Sequence, residues 1–317
     1  MRILMTGSTG LVGRALSQEL SRNGHEVVPA IRSFKSTSPD DVVWDHNHGI
    51  ADVYSVKGID AVVHLAGENV ASGRWTKARK ERIRDSRIEG TTALCKSLAL
   101  LDDPPKILVA ASAVGFYGDR GDEVLDEEAV SGKGFLADVS REWEAATKAA
   151  EDVGIRVVKM RLGAVLSREG GALKAMLPPF KMGVGGKMGS GSQYMAWITL
   201  RDAVRAFALA LQDESLSGPV NVVAPQAITN LEFTKAMGRA LKRPTIFPLP
   251  GFMAKLVIGE MADELLLSSM RVTPKKLEES GFQFADSTID SALESLLGKT
   301  PKQVETPLSL TSEGALK

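Results

Sequence analysis

Residues 2–31 limit the possible folds more than any other stretch of the chain. Arg2-Ile-Leu-Met-Thr6 reads as a short buried strand and Gly7-Ser-Thr-Gly10-Leu-Val-Gly13 as a tight turn. Arg14–Arg22 follows as a helix, with Leu16 and Leu20 at helical spacing and a stop at Asn23-Gly24. His25–Ile31 reads as a second strand, which completes a βαβ unit. Glycines let backbone N–H groups approach a pyrophosphate, and a helix N-terminus favours its charge. Gly7, Thr9, Gly10, Leu11, Val12 and Gly13 are therefore candidate dinucleotide-binding residues. The alternative is a structural turn in another kind of α/β protein.

The end of the second strand bears on which dinucleotide is held. An NAD site usually places Asp or Glu there for the ribose 2′-hydroxyl. Here the strand closes Ala30-Ile31-Arg32-Ser33, and no carboxylate occurs between Glu26 and Asp40. The planar fork of Arg32 suits a 2′-phosphate, so NADP(H) is the expected cofactor. A solvated loop charge is the other reading.

Ala61–Gly67 is a third buried strand ending in small residues. Leu65, Ala66 and Gly67 suit close approach by an adenosine. Asp45, after Val42-Val43-Trp44, is either a partner for the adenine amino group or a turn residue. Lys106–Ser112 and Ile155–Gly163 are further strands, the latter preceded by a helix over 138–152. Alternating strands and helices predict an α/β fold with a doubly wound parallel (Rossmann) sheet. Ligands bind beyond the carboxyl ends of such strands, so Gly67, Ser112 and Leu162-Gly163 should surround one cleft.

The expected organisation is a nucleotide-binding domain over 1–165 and a lid with a smaller interleaved C-terminal substrate domain over 166–298. A strand near 219–223 returns to the main sheet, and 299–317 read as a disordered tail. Residues 164–200 hold seven glycines and no clean periodicity, which suggests a lid or substrate wall. Asp202 reads as a structural helix cap. Met253, Met261 and Met270 suggest a core face or a contact with a second copy, making a homodimer the assembly to test.

Charge balance excludes whole classes of function. Lys+Arg and Asp+Glu each number 39 in 317 residues, so a dedicated nucleic-acid binder is not expected. Residues 74–100 read as a charged helix whose cations, Arg74 to Arg84, are interrupted and followed by Glu81, Asp85 and Glu89, which makes a mostly solvated helix face. Cys95 is the single cysteine, which rules out an intrachain disulfide and a zinc-like cysteine spacing. With no long apolar run and no signal-peptide pattern, no membrane span is expected. Localisation is expected to be cytoplasmic, or organellar if a transit peptide has been removed.

The remaining motifs carry a more specific resemblance. They include Gly67-Glu-Asn-Val-Ala71, Arg74-Trp75, Ser86-Arg87-Ile88, Ser112-Ala-Val-Gly-Phe-Tyr-Gly-Asp119 and Trp143-Glu144-Ala145. Gly170-Gly-Ala-Leu173, Leu177–Gly186, Gly189-Ser-Gly191, Trp197-Ile198, Asn221–Pro225 and Phe247-Pro-Leu-Pro250 follow. Over roughly residues 1–298 the chain resembles the atypical short-chain dehydrogenase/reductases of the NAD-dependent epimerase-like, cell-division-inhibitor-like family. The resemblance implies an NADP(H)-binding oxidoreductase or epimerase acting on a small molecule.

Active relatives pair a Ser after the Lys106–Ser112 strand with Tyr-x-x-x-Lys on the next helix. None of the three tyrosines here, Tyr54, Tyr117 and Tyr194, has Lys four residues on. Alignment places Leu136 and Ser140 at the Tyr and Lys positions; a one-residue shift gives Phe135 and Val139. Arg87 stands where extended members carry a cofactor-facing Asn, and many similar chains carry Cys at the Ser140 position. Ser112 is the expected holder of substrate oxygen and of cofactor. Tyr117, Glu68, Asp138 and Ser140 are the candidates for moving a proton, with Glu68 and Arg87 also near the cofactor. The competing reading is an NADP(H)-binding sensor or interaction protein without turnover.

Overall fold

The computed structural model describes residues 1–32 and 42–298. The expected tail at 299–317 lies outside the described residues. β1 (Arg2–Thr6), α1 (Leu11–Arg22) and β2 (Glu26–Ile31) form the opening βαβ unit, with the helix starting inside the glycine turn rather than after it. β3 (Val42–Asp45), β4 (Gly49–Ile50), β5 (Ala61–His64), α2 (Lys77–Ala99) and β6 (Ile107–Ala113) follow. β7 (Val124–Leu125), α3 (Phe135–Ala145), α4 (Lys148–Asp152) and β8 (Arg156–Leu162) complete the first half.

The second half begins with β9 (Ala164–Leu166), α5 (Gly171–Lys181), β10 (Tyr194–Met195), β11 (Trp197–Thr199) and α6 (Leu200–Gln212). β12 (Gly218–Val222), β13 (Ile228–Thr229), α7 (Asn230–Leu241) and α8 (Gly251–Ile258) come next. β14 (Arg271–Val272), α9 (Lys275–Glu279) and α10 (Ile289–Leu297) close it.

One sheet orders the molecule: β12-β8-β6-β5-β1-β2-β3-β4, parallel throughout except for the β3–β4 pair. Its central strands are buried on both faces, which is why Ile107–Ala113 is an unbroken run of apolar and small residues. One face packs Leu16, Leu20 and Phe207 from α1 and α6 against Ile3, Val63 and Val109. The opposite face packs Leu94 and Leu98 of α2 against Leu4, Val62 and Leu108. A separate cluster around Leu173, Trp197, Phe233 and Leu293 forms the core of the smaller lobe. The returning strand is β12, which pairs in parallel with β8 from Gly218–Val158 to Val222–Leu162.

Three local expectations need correction. The helix read over 138–152 is two helices, broken where Thr147 Oγ1 donates to the Glu144 carbonyl at 2.8 Å and competes with the helix ladder. The 164–200 segment contains α5, hidden from pattern reading by Pro178 and Pro179 in its last turn. Thr199, not Asp202, caps α6. The Asp202 carboxylate accepts the N–H groups of Ala285 and Asp286, each at 2.9 Å, and ties α6 to the C-terminal lobe.

The cationic run on α2 is also not simply solvated. Arg79 reaches Glu68 at 2.6 Å, Lys80 reaches Glu260 at 2.5 Å, and Arg84 reaches Glu142 at 2.5 Å. Of the three methionines, Met261 is buried, Met270 half-buried and Met253 exposed.

Candidate functional site

The glycine turn has the geometry of an anion cradle. Gly7 has φ +69°, and a Cβ there would sit 2.7 Å from the Leu65 carbonyl carbon. A Cβ on Gly13 would lie 2.3 Å from the Gly7 oxygen. Any side chain at either position would separate β1, α1 and β5. Gly10 opens α1 without a side-chain cap, so the first N–H groups of the helix are left for an anion. Thr9 is exposed beside it, and Leu11 and Val12 are half-buried in the first turn. The α5 N-terminus folds over this turn: a Cβ on Gly170 would lie 3.3 Å from Leu11 Cδ1.

The β5 end supplies the next wall. The Leu65 and Ala66 amides donate to the Thr6 carbonyl and Oγ1, at 3.2 and 3.3 Å. The guanidinium of Arg87 lies flat against Gly67, where a Cβ would come within 3.4 Å of Cζ. Arg87 Nη1 donates to the carbonyls of Glu68 and Ile83, at 2.9 and 3.1 Å, and the guanidinium stacks 5.0 Å from the Trp143 ring. Burial draws its pKa down to about 10, opposed by the Glu68 charge. Glu68 itself pairs with Arg79, and its backbone N–H donates to Ser86 Oγ at 3.0 Å.

Arg32 stands exposed just beyond β2, at the carboxyl edge of the sheet. Asp45 ends β3 and holds the turn after it. Its Oδ1 accepts the N–H groups of Asn47 and His48, at 2.7 and 2.8 Å, and these bonds with the His48 ring hold its carboxyl below the usual range despite some burial. Leu162, at the end of β8, packs on the first core cluster.

Strand alternation puts Ser112 on the same face of the sheet as Leu108 and Ala110, the face that α2 covers. Its Oγ donates to Glu144 Oε1 at 2.7 Å, and Glu144 meets Arg161 through two contacts of 2.8 Å. Arg161 Nη1 donates to the Tyr117 hydroxyl at 2.9 Å, and that hydroxyl donates to Asn221 Oδ1 at 2.7 Å. The Arg161 guanidinium also stacks 3.6 Å from the Phe116 ring. Asn221 N–H in turn donates to Glu127 Oε1 at 3.0 Å.

This buried network corrects two sequence expectations. Tyr117 is fully buried, so its hydroxyl offers no proton to the cleft, and burial pushes its pKa up. Ser112, 2% exposed, is committed to Glu144. Ser140 is buried on the face of α3 that carries Leu136, both near Gly115. Asp138 is on the outside, paired with Arg141 at 2.8 Å.

Two cavities flank the start of α3. One of about 190 Å³ is lined by Gly115, Leu136, Lys133, Glu264, Leu267 and Met270. The other, of about 430 Å³, lies between Trp75, Lys80, Arg84, Phe135 and Glu260. Glu264, in the wall of the smaller one, holds the start of α3: Oε1 accepts the Phe135 N–H and Oε2 the Leu136 N–H, both at 2.7 Å. Sequence reading missed Glu264, Glu144, Arg161 and Asn221. Glu144 and Asn221 carried a signal, inside the Trp143-Glu144-Ala145 and Asn221–Pro225 motifs.

Residues 3–224 match the model of the NAD dependent epimerase/dehydratase family. The chain belongs to this family. Residues 249–296 match a domain of unknown function, DUF1731. An epimerase family protein of Mycobacterium bovis is 45% identical over 291 residues, covering 92% of this chain and 96% of its own. The crystal structure of the human epimerase family protein SDR39U1 with NADPH superposes with a TM-score of 0.86 at 34% identity, covering 95% of this chain and all of that one. A nucleoside-diphosphate sugar epimerase of Corynebacterium glutamicum gives a TM-score of 0.77 at 38% identity, covering 94% of this chain and 58% of that one. The expected family and Rossmann architecture are thereby established.

Proposed function

We propose that this chain is an NADP(H)-binding atypical short-chain dehydrogenase/reductase, acting as an oxidoreductase or epimerase on a small molecule. The observation that carries the reading is the uncapped α1 N-terminus, flanked by Gly7 and Gly13 at positions where a Cβ would collide with backbone. The NADPH in the human relative's crystal structure supports it. Gly7, Thr9, Gly10, Leu11, Val12 and Gly13 would hold the pyrophosphate, and Arg32 the 2′-phosphate. Leu65, Ala66, Gly67 and Leu162 would line the rest of the groove. When bound, the nicotinamide supplies hydride chemistry.

Arg87 fixes the backbone of the Gly67-Glu68 turn from below, through the Glu68 carbonyl. The usual relay positions hold Leu136 and Ser140, so proton handling falls to the carboxylates at the cleft. Glu264 lines the smaller cavity, and Glu68 is partly exposed beside Arg79. Ser112 acts through Glu144 as a positioning residue.

A second reading has one observation in its favour. The polar groups that would serve catalysis, Ser112 and Tyr117, are turned into the core, as in a sensor that binds NADP(H) without turnover. Oxidation of NADPH across a panel of carbonyl compounds separates the two. Turnover that is lost in Glu264→Gln with cofactor affinity retained supports the enzyme; no oxidation with any compound, beside firm cofactor binding, supports the sensor.

A further inference from the structure

Two strips of the C-terminal lobe run side by side. The Leu249 N–H donates to the Lys187 carbonyl at 2.8 Å, and the Gly189 N–H to the Leu249 carbonyl at 2.9 Å. At Gly186 the backbones are so close that a Cβ would fall 1.9 Å from the Phe247 oxygen. The second strip continues directly into α8. Their outer surface is apolar: Met182, Val184, Ile246, Phe247, Phe252 and Leu256 all point outward, the last two 72% and 75% exposed. Eight of the fifteen large apolar side chains exposed among the described residues fall within 182–184 and 246–256, which is a patch rather than scatter.

The charge on this face is as uneven as its apolarity. Residues 181–189 and 242–255 carry Lys181, Lys187, Lys242, Arg243 and Lys255 and not one Asp or Glu, in a chain whose charges balance at 39 each. Among the described residues only Lys255 of these five faces a carboxylate, Asp263 at 2.8 Å.

We propose that this face docks on an anionic phospholipid surface. Apolar side chains rimmed by five cations, of which only Lys255 faces a carboxylate among the described residues, complement a negatively charged headgroup layer above acyl chains. A two-fold pairing with a second copy would bring the five cations of each chain together, which opposes self-association through this face. The eight residues of α8 are about 12 Å long, enough to lie in the interface but not to cross it. The same segment leads into Asp263–Leu267, whose Glu264 and Leu267 line the smaller cavity. Docking would therefore set the rim of the cleft beside the bilayer.

Sedimentation of the full chain with sucrose-loaded vesicles tests this. Binding is expected to vesicles of mixed phosphatidylglycerol and phosphatidylcholine, not to phosphatidylcholine alone, and to weaken as salt rises from about 0.1 M to about 0.5 M. Phe252→Asp with Leu256→Asp, and separately Lys181→Glu with Arg243→Glu, should each lower partitioning at least about tenfold. Both pairs alter exposed side chains, and unchanged far-UV circular dichroism and thermal midpoint confirm that the fold is kept. Equal sedimentation with and without anionic vesicles would overturn the proposal. So would a dimer in analytical ultracentrifugation that the Phe252→Asp, Leu256→Asp pair converts to monomer.

Discussion

Glu144 and Arg161 face each other across the α3–β8 junction in a two-point contact, Nε to Oε1 and Nη2 to Oε2, each at 2.8 Å. Both side chains are nearly buried, so neither charge has water to fall back on. Glu144→Gln leaves the guanidinium uncompensated and should cost about 3–5 kcal/mol in urea unfolding. Ser112→Ala removes one hydrogen bond to a carboxylate that Arg161 still holds, and should cost about 1–3 kcal/mol. NADPH affinity should change little in Ser112→Ala, because its hydroxyl faces the network and not the groove.

His64 makes stability depend on pH. Its ring lies buried between Thr6 Oγ1 at 2.7 Å and Thr91 Oγ1 at 3.1 Å, and desolvation pushes its pKa down to about 4. The unfolded chain takes up this proton near its ordinary value of 6.5, so between the two values the unfolded state binds more protons. The stability associated with neutral His64 is complete above that range and is lost as pH falls through it, by about 3 kcal/mol in all. Urea unfolding at neutral pH and near the lower limit should show a smaller loss for His64→Asn than for the parent.

Gly13→Ala places a methyl group against the Gly7 carbonyl, where an ideal Cβ would be 2.3 Å from oxygen. The turn must open to admit it. A loss of about 1–3 kcal/mol in stability is expected, together with weaker NADPH binding measured by titration.

Cys95 is buried on the core face of α2, and desolvation with the nearby Glu151 charge pushes its thiol up to about 12. The folded chain should therefore leave a disulfide reagent unreacted at mildly alkaline pH, and release one thiol equivalent only on unfolding. Rapid labelling of the folded protein would show that α2 opens locally.

Much of the first half of the fold was legible because its signals are local. Gly7, Gly10 and Gly13 lie within one turn, and the buried strands are short apolar runs bounded by turn residues. The absence of a Tyr-x-x-x-Lys spacing was equally legible, since it needs only counting. Roles set by distant partners were not. Ser112 and Tyr117 look catalytic in line with their motif, but Glu144, Arg161 and Asn221 draw them inward from positions up to 104 residues away. Glu264 reaches the start of α3 across 128 residues, a relation no spacing in the chain announces. Helix α5 escaped because its glycines and prolines break the periodic signal while Leu173, Leu177 and Phe180 still anchor it.

The most direct test is a calorimetric titration of the purified chain with NADPH and, separately, with NADH, repeated on Arg32→Ala. Firm NADPH binding that exceeds NADH binding and weakens at least about tenfold, or 1.4 kcal/mol, in the variant is the expected result. No heat with either nucleotide would contradict the dinucleotide site itself. Equal affinity for both, unchanged in Arg32→Ala, would contradict the assignment of Arg32 to the 2′-phosphate.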